Sequence, residues 1–424
     1  MICTGLLRPL LVAALVSATP RALLAAPALL PEAGVAPGVS ATMRQGMEAT
    51  VRGDLDAAQR RFEALRLASP TSAAPYLGLA EVAARRNDAA GAEAQLRAGI
   101  DASPRAPELQ RALGRLQVLQ GRADEAIASF DAAIALDPAD LATPLEIADL
   151  LNQRLGQPQR ALPYYEAVLR RDSGNGAARY GHGLALARSG QAKAALEELT
   201  VAASLRPQDP LPDYARAQIL LQSGAQNAAL TAYDAALARS PGFAQARAAK
   251  GSLLLSLRRP PEARAEFEAA LKQSPNLLAA LMGLGMAQQE GGDKAGATAS
   301  YRKALAADPD NLLAMNNLAW LLADGGGDLD EALALASRAV ERAPGTPAFL
   351  DTLGWVHWRR GEALKGETHL ARAAGMQANA EVLTRLGIVR AGLGRSSEAA
   401  GDFRRALQIT PHYRPAEQEL SRLR

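Results

Sequence analysis

The residues with the most distinctive chemistry in this sequence lie close together in its C-terminal half. All three tryptophans fall between residues 320 and 358, and amide and charged side chains stand beside them. The full set is Asn316, Asn317, Trp320, Asp351, Trp355, Trp358 and Arg359. Tryptophan offers a large anchor for a partner, and an asparagine amide both donates to and accepts from a peptide backbone. This combination predicts the binding of a partner rather than a reaction on a substrate.

Histidine and cysteine are sparse, and the sequence contains no recognisable catalytic or metal-binding motif. The four histidines are His182, His357, His369 and His412, and no pair has the HExxH spacing of a zinc site. The only cysteine is Cys3. The sequence contains no G-x-S-x-G elbow and no Walker loop. We therefore expect no enzymatic activity, no cofactor and no metal site, and we expect His182 to be a hydrogen-bonded core residue.

The N-terminal stretch before the first repeat has the composition of a targeting segment rather than of a folded domain. Residues 1–18 combine Arg8, a short apolar run and a small-residue end, which is typical of a secretory signal peptide. A second small-residue cleavage site lies at Ala26–Ala28, and residues 19–38 read as an Ala- and Pro-rich linker. We expect a periplasmic or secreted bacterial protein without a transmembrane anchor. If translation starts at Met43 instead, the protein is cytoplasmic.

A proline recurs at a constant interval along two stretches of the chain. These prolines are Pro70, Pro104 and Pro138, then Pro207, Pro241, Pro275 and Pro309. The interval of about 34 residues is the length of one helix–turn–helix repeat, and such repeats have to stack in order to bury their apolar faces. The net charge of +3 is spread over interleaved acids and bases, so we expect no binding to nucleic acid.

The same period places small and large residues at fixed positions when the closing proline is numbered 32. Position 8 holds only Gly or Ala, as in Gly251, Gly285 and Gly354. Position 20 is Ala in ten of the eleven repeats, and position 24 is aromatic in most of them, as in Phe267 and Tyr301. Small residues permit close helix crossings, and the aromatic rings fill the adjacent space. The fourth repeat departs from this pattern, because it has one extra residue and an interior Pro163.

This pattern closely resembles that of the tetratricopeptide repeat (TPR) family over residues 39–411, in eleven units. The resemblance implies an all-α fold, a right-handed α-α superhelix of helix–turn–helix repeats. Residues 412–424 are expected to form a polar capping helix over the last repeat.

The resemblance also implies which residues line the concave groove, namely positions 2, 5, 9, 12 and 13 of each first helix. Trp320 and Trp355 then occupy position 9 of the ninth and tenth repeats, and Trp358 and Arg359 occupy positions 12 and 13 of the tenth. With Asn316, Asn317 and Asp351 they are the candidate site for a protein or peptide partner. Packing between neighbouring first helices is the alternative role for these tryptophans. Arg85, Arg111 and Arg115 are a second, basic groove patch, for which ordinary solvated charge is the favoured interpretation.

The stretches around Trp320 and Trp355 resemble paired units of exported bacterial TPR proteins, some of which belong to exopolysaccharide and PEP-CTERM systems. This resemblance covers roughly residues 312–360 and implies a non-enzymatic adaptor of the cell envelope. Direct polysaccharide binding and a structural, self-assembling spacer are the alternatives. The sequence leaves the oligomeric state and the partner open.

Overall fold

The computed structural model describes residues 41–423, and these contain 23 α-helices and no β-strand. The predicted signal peptide, residues 1–18, and the linker, residues 19–38, lie outside the described residues. The prediction of an all-α repeat fold is confirmed. The described residues form two compact units, which divide between Ser223 and Gly224.

The first unit contains five complete helix pairs and one further helix. Its helices are α1 (Ala41–Val51), α2 (Leu55–Ala68), α3 (Ala73–Arg85), α4 (Ala89–Ala102), α5 (Pro107–Leu119), α6 (Ala123–Leu136), α7 (Ala142–Asp149), α8 (Pro158–Arg171), α9 (Gly176–Arg188), α10 (Ala192–Leu205) and α11 (Leu211–Gln222).

The second unit begins with α12, continues through five helix pairs and ends with α23. Its helices are α12 (Gln226–Arg239), α13 (Ala244–Ser256), α14 (Pro260–Gln273), α15 (Leu278–Glu290), α16 (Lys294–Ala307), α17 (Leu312–Gly325), α18 (Leu329–Arg342), α19 (Pro347–Arg359), α20 (Ala363–Met376), α21 (Ala380–Gly392), α22 (Ser396–Ile409) and α23 (Arg414–Arg422). The last of these lies within the predicted capping segment. Its Ala416 is fully buried, and Leu420 and Leu423 pack against the core formed by α19 to α22.

Small residues at position 8 allow the two helices of a repeat to pack closely. In the eighth repeat, a Cβ atom added to Gly285 would lie 2.6 Å from Cε1 of Tyr301, which is fully buried at position 24. In the seventh repeat, Gly251 would meet the Phe267 ring at 2.9 Å. The glycine and the ring therefore share one packing site, as the repeat register predicts, and the site has no room for a larger residue at position 8.

Left-handed backbone conformations end most of the first helices. Gly121 adopts a φ of 76°, and Asn87 takes the glycine position of the second repeat with a φ of 59°. At the same place in the seventh repeat, Arg258 has a φ of 61°. A β-carbon is unfavourable in this conformation, so glycine and asparagine are the usual residues there.

The extra residue of the fourth repeat is accommodated within its first helix. Helix α7 continues into a π-helical turn, Leu150–Arg154, in which the Leu155 amide donates to the Leu150 carbonyl at 3.1 Å. A single π-turn is the usual way to insert one residue into an α-helix. The buried Asn152 of this turn donates to the Gly181 carbonyl of α9 at 3.3 Å, so the turn also contacts the next repeat.

Ion pairs connect neighbouring repeats through one recurring pair of positions. Position 16 of one repeat pairs with position 21 of the repeat before it, as in Arg122–Glu93 at 2.6 Å and Arg395–Glu367 at 2.8 Å. Between repeats seven and eight the charges are exchanged, since the position-16 residue is Asp293 and its partner at 3.1 Å is Arg264. The sign of the charge at each position therefore differs from one repeat junction to another.

Candidate ligand-binding site

Three consecutive first helices, α17, α19 and α21, carry the candidate site, and polar or proline residues fix where each begins. The Asn311 side chain caps α17 by accepting from the Ala314 amide at 2.9 Å. Pro347 opens α19, where its missing N–H costs nothing. Asn379 caps α21 by accepting from the Val382 amide at 2.9 Å. These residues therefore fix where each of the three helices begins.

Trp320 of α17 and Trp355 of α19 form an aromatic pair. Their ring centroids are 6.1 Å apart and their planes are inclined by 30°. Both side chains are half-buried, and Trp355 packs against the apolar core of repeats eight to ten. This spacing lies in the range that stabilises aromatic pairs, so each ring restricts the orientation of the other.

A buried arginine that the sequence analysis did not single out completes this arrangement. The guanidinium of Arg385, on α21, lies over the Trp320 ring with 4.2 Å between Cζ and the ring centroid. Arg385 also donates to the carboxylate of Asp351 on α19. Both residues are buried, with Arg385 7% and Asp351 1% exposed. Trp320, Asp351, Trp355 and Arg385, together with Asn316, are called the tryptophan site below.

The tryptophan site thus joins three repeats through a cation–π contact and a buried ion pair. Such contacts are worth more when water is excluded from them. Glu381 lies 3.8 Å from the other terminal nitrogen of Arg385, so two carboxylates face this one guanidinium. No sequence signal singled out Arg385, which lies at position 6 of the eleventh repeat, outside the predicted groove positions.

The two asparagines of the candidate set have different surroundings. Asn316 is 2% exposed, its amide nitrogen lies 3.4 Å from Oδ1 of Asn317, and its own Oδ1 has no hydrogen-bond partner. Asn317 faces Tyr301 of α16. Burial raises the pKa of Tyr301, and a hydrogen bond from Asn317 opposes this effect. Asn317 therefore supports the core of the eighth repeat, whereas Asn316, one helical turn before Trp320, carries an unpaired acceptor.

The indole nitrogen of Trp355 is a second buried polar atom without a hydrogen-bond partner. Buried polar groups in folded proteins are nearly always paired, so an unpaired acceptor on Asn316 and an unpaired donor on Trp355 call for an explanation. A peptide group offers the complement of both, since it carries one N–H donor and one C=O acceptor.

The structure does not bring the remaining two candidate residues to the tryptophan pair. Trp358 packs against the core of repeats ten and eleven, and its ring tip touches Gly392, where an added Cβ atom would overlap Cη2. Arg359 is exposed at the end of α19. The sequence predicted these residues as part of one concave patch. In the structure, Trp320 and Asp351 contact Arg385, Trp355 contacts Trp320, and Asn316 lies one helical turn before Trp320 on α17.

Position 9 changes character along the described repeats. In repeats eight to eleven it is apolar and half-buried, occupied by Met286, Trp320, Trp355 and Ile388. In repeats two to four it is charged, and each side chain has an internal partner. Glu81 accepts from Arg85 at 2.6 Å, Arg115 pairs with Glu146 at 2.8 Å, and Asp149 accepts from the Tyr165 hydroxyl at 2.6 Å. Met47 and Leu184 are also apolar and half-buried at position 9 of repeats one and five, but only the last four repeats carry such residues consecutively, as an apolar row.

The predicted basic patch is divided among ion pairs. Besides the pairs of Arg85 and Arg115, Arg111 donates to Asp140 at 2.9 Å. All three arginines are thus compensated by carboxylates of the same chain. This agrees with ordinary structural charge rather than with a cationic binding surface.

The histidines have two different kinds of environment. His357 and His369 of the tenth repeat stack with 5.4 Å between ring centroids and planes only 7° apart. Burial lowers the pKa of both, and for His369 the neighbouring His357 lowers it further. His182 is buried as expected, but neither of its ring nitrogens has a hydrogen-bond partner. The expected hydrogen bond is therefore missing, and Glu198 lies 3.6 Å from Nδ1.

Within residues 41–423, no cluster of three or more His, Cys, Asp or Glu side chains is arranged to bind a metal ion. None of the helices in this part of the chain combines the length and hydrophobicity that a membrane span requires.

The family follows from the repeats and from a direct sequence match. The family model described as tetratricopeptide repeat matches residues 43–107, 79–140, 150–210, 214–277, 282–347 and 352–414. The chain belongs to the tetratricopeptide repeat family. TPR proteins of this kind are scaffolds that bind peptide or protein partners, and this TPR chain has the same scaffold architecture. No curated protein matches it significantly in sequence.

Several solved structures are similar to this TPR chain. The Cut9 and Hcn1 hetero-tetramer of the APC/C matches with 13% identity over 91% of this chain and 96% of the other, at a TM-score of 0.48. YrrB, described as a TPR protein with an unusual peptide-binding site, matches with 24% identity over 43% of this chain and 93% of the other, at a TM-score of 0.39. TTC0263, a thermophilic TPR protein of Thermus thermophilus, matches with 24% identity over 42% of this chain and 98% of the other, at a TM-score of 0.38.

Proposed function

We propose that this protein is a non-enzymatic, exported TPR scaffold that holds an extended segment of a partner protein against its tryptophan site. The observation that carries the proposal is the half-exposed Trp320–Trp355 pair, 6.1 Å between centroids, on a buried support of Arg385 and Asp351. Interfaces are dominated by a few aromatic anchors in fixed orientations, and a site ordered in advance loses less entropy on binding.

The length of the apolar row supports an extended ligand. Met286, Trp320, Trp355 and Ile388 present one half-buried apolar side chain from each of four consecutive repeats. A compact ligand would need only one or two of these positions. A segment that follows the row from α15 to α21 would contact all of them.

The cell envelope is the proposed location, and assembly or export of exopolysaccharide or other envelope components is the proposed process. Support comes from the signal-like residues 1–18 and from the resemblance of residues 312–360 to exported bacterial TPR proteins. Mass spectrometry of the protein from its native host is the test. We expect a new N-terminus between about residues 19 and 40, the span set by the usual length of a signal peptide. An intact Met1, or a start at Met43, would contradict export.

Direct polysaccharide binding is the second candidate, because tryptophan rings also stack on sugars. The Arg385 guanidinium covers one face of Trp320, which reduces the open aromatic surface that such stacking needs. The unpaired acceptor of Asn316 and the unpaired donor of Trp355 match the one donor and one acceptor of a peptide group. We therefore favour a peptide segment, and treat a purely structural spacer as the outcome if no ligand binds.

Photo-crosslinking in the native host tests partner binding directly. A benzophenone amino acid replaces Ile388, at the end of the apolar row, and a control protein carries it at Leu67, which is 82% exposed on α2. We expect a discrete crosslinked partner from position 388, its loss when Trp355→Ala is added, and none of this product from position 67. Equal crosslinking from both positions, or indifference to Trp355→Ala, would contradict the assignment of the site.

A further inference from the structure

We infer that the tryptophan site selects an uncharged, apolar peptide segment, and that Arg385 is the residue that excludes cationic side chains. This inference rests on the proposed function and names the chemistry of its ligand. Its basis is the placement of a buried guanidinium against an aromatic ring that would otherwise attract cations.

The open face of a tryptophan attracts Lys and Arg side chains by its negative electrostatic potential. In this site, Arg385 already occupies that position on Trp320, 4.2 Å from the ring centroid. A ligand cation that approached the pair would therefore find this face of Trp320 already covered. The protein supplies its own cation, and the attraction is used to hold the ring in place.

An anionic side chain is not favoured either. Arg385 is 7% exposed as a residue, its guanidinium donates to Asp351, and Glu381 lies 3.8 Å away. Its charge is therefore compensated by carboxylates of the same chain before any ligand arrives. A carboxylate of the ligand would have to displace one of these partners, and it would be repelled by the other.

The surface that remains for a ligand is apolar. Met286, Trp320, Trp355 and Ile388 form its row, so side chains without charge lose the least hydration on contact. The unpaired Oδ1 of Asn316 and the unpaired indole N–H of Trp355 complement the backbone of such a segment. Both atoms are buried, so the amide and the ring have to rotate during binding. We therefore expect the tryptophan fluorescence to change when a ligand binds.

Selection from a displayed library of random peptides tests this inference without knowledge of the natural partner. The bait is the full chain, and the controls are Trp320→Ala/Trp355→Ala and Asp351→Leu/Arg385→Met. The second control removes both members of the buried ion pair together, because removal of one alone would leave an uncompensated buried charge. Circular dichroism and thermal melting establish that each bait is folded.

We expect the wild-type chain to enrich peptides that are apolar and uncharged at their centre, and the double-alanine variant to lose them. Replacing the central residue of an enriched peptide by Lys should weaken binding to the wild type roughly tenfold or more, since the charge would lose hydration against an apolar row whose Trp320 face is already covered. The same Lys peptide should recover most of its affinity for Asp351→Leu/Arg385→Met. If that variant does not fold, the Lys, Glu and uncharged peptides are compared on the wild type alone.

The possible failures can be told apart. If the wild type enriches Lys- or Arg-centred peptides, or acidic ones, and Trp320→Ala/Trp355→Ala abolishes them, the charge selection is wrong but the peptide site stands. If no peptide is enriched over the double-alanine variant, the proposed function falls as well. Binding of an oligosaccharide panel, lost in the same variant, would replace the peptide with a sugar and overturn both.

Discussion

Arg385 and Trp320 lie two repeats apart in sequence, yet the guanidinium of one is stacked on the indole of the other, with 4.2 Å between Cζ and the ring centroid. The intervening repeat contributes Asp351, which accepts from the same guanidinium. Ordinarily, each repeat of a solenoid contacts its nearest neighbours alone. Here a cation connects the ninth repeat to the eleventh, so the orientation of a surface aromatic depends on residues from three repeats.

Replacing Trp355 by Ala should abolish binding of a peptide selected by the wild type while leaving the helical content unchanged. Loss of an aromatic anchor commonly costs about 2–4 kcal/mol, which is a 30- to 1000-fold loss of affinity. Trp358→Ala is the comparison, because Trp358 packs against Gly392 and the core of repeats ten and eleven. We expect Trp358→Ala to lower the melting temperature more and the affinity less. The reverse order would place Trp358, rather than Trp355, in the ligand site.

A glycine at a close helix crossing and a glycine on an open helix face should respond in opposite ways to substitution. Gly285→Leu would drive a side chain into Tyr301, at 2.6 Å from the position of its Cβ, and should cost about 1–3 kcal/mol or more of stability. Gly401→Ala, within α22, meets no atom within 4 Å and should stabilise the protein by about 0.5–1 kcal/mol. Urea unfolding of both variants measures this difference. Equal stability of the Gly285→Leu variant and the wild type would invalidate the repeat register.

The stacked His357–His369 pair predicts that stability decreases as the pH falls below the ordinary histidine pKa of about 6.5. Burial lowers the pKa of both rings in the folded protein, so the unfolded chain takes up protons first on acidification. Around the pair, Glu362 favours the charged form of His357, whereas Lys365, Arg360 and Arg372 oppose protonation.

The measurement is thermal melting of the wild type and of His369→Gln across this pH range. The variant should lose less stability on acidification, because one of the two depressed groups is gone. His412→Asn is the matched control, since His412 is exposed and outside the pair. A pH dependence that is the same in His369→Gln and the wild type would show that the stacked pair does not contribute.

The π-helical turn predicts a local weak point in the fourth repeat. Residues 150–156 contain the inserted residue, and α8 after them carries Pro163 within the helix. Native-state hydrogen exchange should find faster opening at residues 153–157 than in the regular helix α15. Equal protection factors in both segments would show that the buried Asn152 and its bond to Gly181 compensate for the irregular geometry.

The sequence was sufficient for the features that depend on a single repeat. Gly285 and Tyr301 are separated by a fixed distance along the chain, so their contact could be inferred from the repeat register. The same register placed Trp320 and Trp355 at equivalent positions of adjacent repeats, and their pairing follows. The extra residue of the fourth repeat was also visible in the sequence, but its location was not. The loop between the two helices can absorb an insertion as readily as a π-helical turn within the first helix.

The features that depend on three repeats could not be predicted. Arg385 lies at position 6, outside the positions that the family places in the groove, and its role depends on both Asp351 and Trp320. Trp358 is at a groove position, but its ring turns toward Gly392, whose missing side chain leaves room for the ring. Arg385 and Trp358 each contact a residue on another helix, and the repeat register does not indicate how side chains of different helices pack together.

The exchanged charges at the repeat junctions restrict how this array could have grown or been rearranged. Arg122 at position 16 of the third repeat requires an acid such as Glu93 before it, whereas Arg264 at position 21 of the seventh repeat requires Asp293 after it. Inserting the third repeat behind the seventh would bring Arg122 against Arg264, two like charges in place of an ion pair. Duplication of one of these repeats in place would therefore preserve its ion pair more readily than transfer to another junction.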